Sequence, residues 1–347
     1  MWPFWLMFLV PVWATLSPSR LPQKQVVLAW WVVGAVFALM IGFRYEVGGD
    51  WLNYIEHFKT TSYLRFSEIF DKGDPGHYFV NWAVARLGGG VQWVNLLYGS
   101  VLMWGTVVFC RRQPWPWLAL LVAVPYLLIG VGMGYSRQAM ALGFALVGLT
   151  ALGEHRVRVF VVCIALGALF HKSAVLLLPI AVLANSRNRF LTAGMVGMTF
   201  VLLYYLLLAE DADALWTNYV EYQMHSQGAK IRVLMNAVPA ALLLLFGKRL
   251  APDPQQRRLW TIIALLALLC LPLVSLASTA VDRVALYLIP LQLFVFARLP
   301  LLAGDDVRMR TGLVLAVSGY YAAAQFVWLN FATHAQYWLP YQFRLFG

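Results

Sequence analysis

The chain has 347 residues, 61% of them hydrophobic and 12% charged, with a formal net charge of +11 and a mean hydropathy of +0.70. That composition excludes a water-soluble globule and points to a lipid bilayer. The basic pI near 9.7 would suit nucleic acid in a soluble protein. Here loops facing an anionic leaflet account for it, so no nucleic-acid partner is expected.

A helix needs about 20 apolar residues to cross the hydrocarbon. Apolar runs predict spans at roughly 3–16, 26–43, 91–110, 115–134, 138–152, 157–170, 173–184, 190–208, 233–247, 259–278, 284–298 and 311–330. The fold class expected is therefore all-α and polytopic, with about 10–12 spans. The even count returns both termini to the same side. Met1 to Leu16 lacks a basic n-region and a small-residue cleavage site, so it reads as a retained span and not a signal peptide. Cys110, Cys163 and Cys270 lie in or beside apolar runs, so neither a disulfide framework nor a metal-type spacing is expected. Nothing in the chain reads as a linker or an internal repeat, and residues 1–347 are taken as one integral membrane domain.

The loops between these runs sort by charge. One alternate set holds Arg20, Lys24, Arg111, Arg112, Arg156, Arg158, Arg187, Arg189, Lys248, Arg249, Arg257, Arg258, Arg298, Arg308 and Arg310, with only four acidic residues against them. Its excess equals the whole net charge, and the other set nets to zero. This positive-inside pattern makes the first set cytoplasmic. Every polar motif that looks chemical falls in the other set, so the working face and both termini are expected outside, in segments that include 44–90 and 209–232.

The first such motif is Arg44-Tyr45-Glu46-Val47-Gly48-Gly49-Asp50-Trp51. Gly48-Gly49 allows a tight turn with exposed backbone donors for an oxyanion. Arg44 could pair with diphosphate, and Asp50 could accept a proton or orient a sugar hydroxyl. The plainer reading is a helix end with a snorkelling arginine and a glycine turn. Asp74-Pro75-Gly76-His77-Tyr78 is a turn and a helix start. It opens an apolar stretch to Leu87 that is too short to cross and is expected at the interface or re-entrant.

Further along, Gly134-Tyr135-Ser136-Arg137-Gln138 enters the fifth span. Ser136 could cap that helix, and Arg137 at a helix N-terminus opposes the macrodipole unless an anion is near. The stretch 157–184 must be broken, because one continuous helix would put the later basic loops outside. Two segments, 157–170 and 173–184, reach only about 21 and 18 Å. Their junction at His171-Lys172 then lies below the outer surface. Polar backbone at that depth survives only in a protein-enclosed or watery cavity. Lys230 and Arg232 precede the ninth span. Asp282-Arg283 precedes the eleventh, where Asp282 could cap the helix and neutralise Arg283. No Ser–His–Asp set, HExxH, P-loop or dinucleotide fingerprint is present, and no metal or cofactor is expected.

The ordered series FRYEVGGDWLNY, DPGHYFVNW, YSRQAMALGFAL, LFHKSAVLLLP and DRVALYLIP resembles the EpsG family, the Wzy-like exopolysaccharide polymerases, over most of the chain. It departs at Gly49, where the family more often has Thr, and at Trp51, where Tyr or Phe is usual. The resemblance implies a GT-C-like architecture in the bacterial plasma membrane. It also implies joining of polyprenyl-diphosphate-linked oligosaccharide repeats on the outer face, with a polysaccharide co-polymerase or export proteins as partners. Carried over, the catalytic candidates are Asp50, Arg137, His171 and Arg283. Arg44 and Lys172 are substrate-binding candidates, joined by Arg232, Tyr135 and Gln138. An acceptor hydroxyl would attack the anomeric carbon and lipid diphosphate would leave, with the cations stabilising it. Arg44, Arg137, Lys172 and Arg283 are expected to converge on an outward hollow. A lipid-linked oligosaccharide flippase would need a similar cavity but should show related halves. A glycan ligase is the nearer rival.

Overall fold

Apolar runs punctuated by Gly, Pro and charge clusters can satisfy their backbone groups in lipid only as helices, and helices are what they form. The computed structural model describes residues 1–17, 22–70, 73–184, 189–207 and 228–345. Arg20, Arg187 and most of the predicted outer segment 209–232 lie outside the described residues. The chain divides into two compact units: residues 1–144, 169–171 and 314–347 form unit 1, and 145–168 with 172–313 form unit 2.

In chain order the helices are α1 (Trp2–Leu16), α2 (Gln23–Gly42), α3 (Trp51–Ser62), α4 (Pro75–Arg86), α5 (Val91–Cys110), α6 (Pro116–Gly134), α7 (Ser136–Gly153), α8 (Val157–Ala168), α9 (Leu178–Ala184), α10 (Arg189–Leu207), α11 (Ala229–Leu250), α12 (Pro254–Leu273), α13 (Ser278–Leu286), α14 (Pro290–Phe296) and α15 (Val307–Phe331). Among the described residues, α2, α5, α6, α11, α12 and α15 are long and apolar enough to cross a membrane, and the pair 278–286 and 290–303 would add a seventh, bent by 50°. This is a polytopic all-α membrane protein. Several of the remaining predicted spans are shorter apolar helices, α1 and α8 among them. The predicted break near 157–184 is present: α8 stops at Ala168, residues 169–171 are non-helical, and a 3₁₀ turn, Lys172–Leu177, leads into α9. The apolar stretch after Asp74 is the helix α4, packed on α3 and α5.

In unit 1, α2 and α5 run antiparallel at close range. A Cβ on Gly42 would fall 2.5 Å from the Leu96 Cα, and Gly105 faces the Gly143 carbonyl as tightly. Small residues let helices approach where lipid supplies no hydrophobic drive between them. One end of this unit gathers the start of α1, the end of α2 and the C-terminal tail. Phe4 packs edge-on against Tyr341, and the Tyr341 hydroxyl donates to the Met40 carbonyl. Strand β1 (Arg44–Tyr45) pairs antiparallel with β2 (Gln342–Phe343) at the same end. Toward the opposite end, Trp30, shortly after Lys24 in sequence, stacks at 4.1 Å on Trp117, shortly after Arg111-Arg112.

Unit 2 sorts its charges in the same way. Arg298 donates to the Leu250 carbonyl and to Gln256 at one end of α11. Arg232, near the other end of α11, forks onto Asp282 of α13. Eighteen helical positions separate Arg232 from Leu250, about 27 Å along the axis. Between them Asn236 bridges the Ala285 carbonyl and the Gln292 side chain.

Candidate functional site

The site of unit 1 starts from Arg44, the second residue past α2, which is only 1% exposed. Its Nε donates to the Val47 carbonyl, one terminal nitrogen to the Ile41 carbonyl, and the other to Ser136 Oγ at 2.7 Å and Asn95 Oδ1 at 3.3 Å. Burial lowers its pKa to about 10, so it stays charged near neutrality. The guanidinium thereby ties the end of α2 to α5 and to the start of α7. Ser136 does not serve as the cap anticipated from the sequence. It is the first helical residue, and its hydroxyl lies between Arg44 and Asn95.

The Gly48-Gly49 turn also differs from expectation. Gly48 adopts φ 108°, and its N–H donates to the Tyr337 carbonyl at 2.7 Å instead of facing an open anion site. The C-terminal tail makes this contact as a strap across the motif. Trp338 donates its indole N–H to the Ile129 carbonyl, in a stretch of α6 where Pro125 has loosened the helix to π geometry. A Cβ on Gly134 would meet the Trp338 ring at 2.5 Å.

With Ser136 anchored, the next residue, Arg137, is aimed across to α4. Its Nη1 lies 2.7 Å from Asp74 Oδ2, the guanidinium about one-third exposed and the carboxylate buried. Asp74 sits at the N-terminus of α4, where a carboxylate is favoured by the macrodipole. The Arg137 amide approaches the Tyr54 hydroxyl at 3.4 Å. Behind the ion pair, buried His77 meets the Tyr98 hydroxyl at 2.9 Å through Nδ1 and the Asn81 amide at 3.2 Å. Burial, then the charges of Arg137 and His57, hold His77 well below its ordinary pKa. His57, half-buried on α3, stands with its ring centroid 5.8 Å from that of His77 and 6.0 Å from that of Tyr78. Asp50, partly buried at the N-cap of α3, acts electrostatically on Tyr54 and His57.

The broken segment joins this cluster through its non-helical part. The Leu169 carbonyl accepts from the Gly76 amide at 2.9 Å, and Phe170 packs edge-on against Tyr98. His171, half-buried, is the next residue. Tyr135 and Gln138 flank the anchored Ser136-Arg137, the former half-buried and the latter buried.

Unit 2 holds the remaining candidates. The sequence offered Asp282 as a helix cap and as the neutraliser of Arg283. α13 begins at Ser278, so Asp282 lies inside the helix, and it accepts two hydrogen bonds from Arg232. Arg283 follows it on α13, partly buried. Lys172 opens the 3₁₀ turn packed on α13, where Ser173 donates to the Tyr287 hydroxyl at 3.5 Å. Thus Arg44, Asp50 and Arg137 belong with His171 to unit 1, and Lys172, Arg232 and Arg283 to unit 2.

The sequence reading overlooked Tyr54, His57 and Asn81 and undervalued Asp74 and His77. A helical-face count from Asp50 would have found Tyr54 and His57, four and seven positions on. The strap residues Tyr337 and Trp338 carry no local signal at all.

Fold and site together define a polytopic membrane protein with polar, charge-paired groups collected at helix ends. The family model of the EpsG family matches residues 27–343, nearly the whole chain. The chain belongs to the EpsG family. Neither a curated protein nor a solved structure matches it.

Proposed function

We propose that this protein is a Wzy-like polysaccharide polymerase, a glycosyltransferase of the GT-C type that joins polyprenyl-diphosphate-linked oligosaccharide repeats. The family match over residues 27–343 carries the reading. The segregation of basic loops from the polar motifs in both units supports a working face turned away from the cytoplasm, with the termini of unit 1 on that side.

In the reaction, an acceptor sugar hydroxyl attacks the anomeric carbon of the lipid-linked chain. The bond from that carbon to the diphosphate oxygen breaks, and lipid diphosphate departs with the electron pair. Arg283 and Lys172 supply positive charge for the leaving group, and Arg232, held by Asp282, sets the start of α11 beside α13. Arg137, already balanced by Asp74, suits hydrogen bonds to sugar hydroxyls as well as to a phosphate oxygen. Asp50 and His171 orient the acceptor. Arg44 acts one step removed, by fixing Ser136 and hence the aim of Arg137. A lipid diphosphate is a good leaving group, so positioning and electrostatics supply most of the acceleration.

The test is purified protein in lipid vesicles supplied with lipid-linked repeat units. A ladder of products with release of lipid diphosphate is the expected result. Transfer of intact substrate across the vesicle without a ladder would make it a flippase, and a single addition to a different acceptor would make it a ligase.

A further inference from the structure

His57 differs from His77, the other imidazole of the cluster. His77 is buried and already bonded to Tyr98 and Asn81, so its ring organises the cluster from behind. His57 is half-buried, and its ring nitrogens make no hydrogen bond among the described residues, although it sits within an ordered aromatic wall of His77 and Tyr78. The Arg137–Asp74 pair acts on it electrostatically from the same side, as do Glu56 and Asp50 from its own helix. An ordered imidazole with unengaged nitrogens, beside a charge-neutral guanidinium–carboxylate pair, is built to meet a neutral polyol. The pair can hold sugar hydroxyls, the rings can face a sugar plane, and a nitrogen remains to take a proton.

We infer that His57 is the acceptor-side base of the proposed polymerase. The inference rests on that polymerase reading and adds to it a residue and a role. As the acceptor oxygen bonds to the anomeric carbon, its proton passes to a ring nitrogen of His57, while the diphosphate leaves with the electron pair of the broken bond. The resulting imidazolium then returns its proton to water. Tyr54, Asp50 and Glu56 on α3, Asp74, His77 and Tyr78 on α4, and Arg137 on α7 are the titratable and charged groups around this ring. Burial first and the Arg137 charge second lower the His57 pKa from 6.5, outweighing the three carboxylates. The base form therefore predominates at neutral pH and is lost as pH falls through a value below 6.5.

The decisive comparison uses full-length wild type and His57→Gln in lipid vesicles with lipid-linked repeat units, following ladder growth and diphosphate release from pH 4.5 to 8. Wild type should make the ladder with an acid limb below pH 6.5. His57→Gln should fall in kcat by about 100-fold or more, keep its KM for the lipid-linked donor, and lose that limb. A variant with the wild-type rate and acid limb overturns the base assignment and leaves the polymerase standing. No ladder from wild type overturns both. Should His57→Gln fail to insert, the wild-type profile decides: a rate flat down to pH 4.5 removes His57.

Discussion

Arg44 and Ser136 are separated by 92 positions in the chain and lie 2.7 Å apart, guanidinium to hydroxyl, in a fully buried contact. That contact passes the position of the first motif to the second, because the residue after Ser136 carries the ion pair with Asp74. Arg44 is thereby part of the scaffold that positions Arg137.

Replacing Arg44 by Lys tests this. A single ammonium cannot reproduce the planar fork, so acceptors among Val47, Ile41, Asn95 and Ser136 lose their donor. The expected loss is about 1–3 kcal/mol of stability, read as a lower thermal midpoint of purified protein, together with slower ladder growth. Unchanged stability would contradict the buried network.

The two glycines of the turn should behave oppositely. A Cβ on Gly48 would lie 2.1 Å from the Met133 carbonyl, at φ 108°, whereas one on Gly49 meets only the Trp338 ring at 3.9 Å. Gly48→Ala is expected to destabilise strongly, and Gly49→Ala to stay within about 0.5 kcal/mol of wild type. Equal thermal midpoints for the two variants would rule out this backbone geometry.

Asp282 is 6% exposed and Arg232 partly buried, so removing one partner strands a charge. Arg232→Ala or Asp282→Ala alone should cost about 3–5 kcal/mol, and the double variant should recover part of that loss. A double-mutant cycle on thermal unfolding measures it, and strict additivity would mean the pair is not coupled.

For the reaction itself, Arg137→Ala and Arg283→Ala should abolish polymer while the protein still inserts. Chain length like that of wild type in either variant takes that arginine out of the mechanism.

Deleting the strap, residues 332–347, should free the Gly48 amide and uncover β1. Hydrogen exchange over residues 43–51 is expected to quicken, with α11 and α12 unchanged. Exchange identical to wild type would show that the turn holds itself.

The sequence alone determined the membrane, the helices, a break within 157–184 (expected at His171-Lys172, found at 169–171) and the sorting of charge to opposite helix ends, because these follow from local hydropathy, span length and the cost of charge in lipid. It also carried the family, since ordered motifs survive in linear text. Only the tertiary structure decided what each polar group does. It turned Arg44, Ser136 and Gly48 inward to partners far along the chain, paired Asp282 with Arg232, and brought Asp74, His57 and His77 around Arg137. The physical reason is that a buried donor or charge takes whichever complementary group folding places within about 3 Å. Sequence spacing measures that distance only inside one helix.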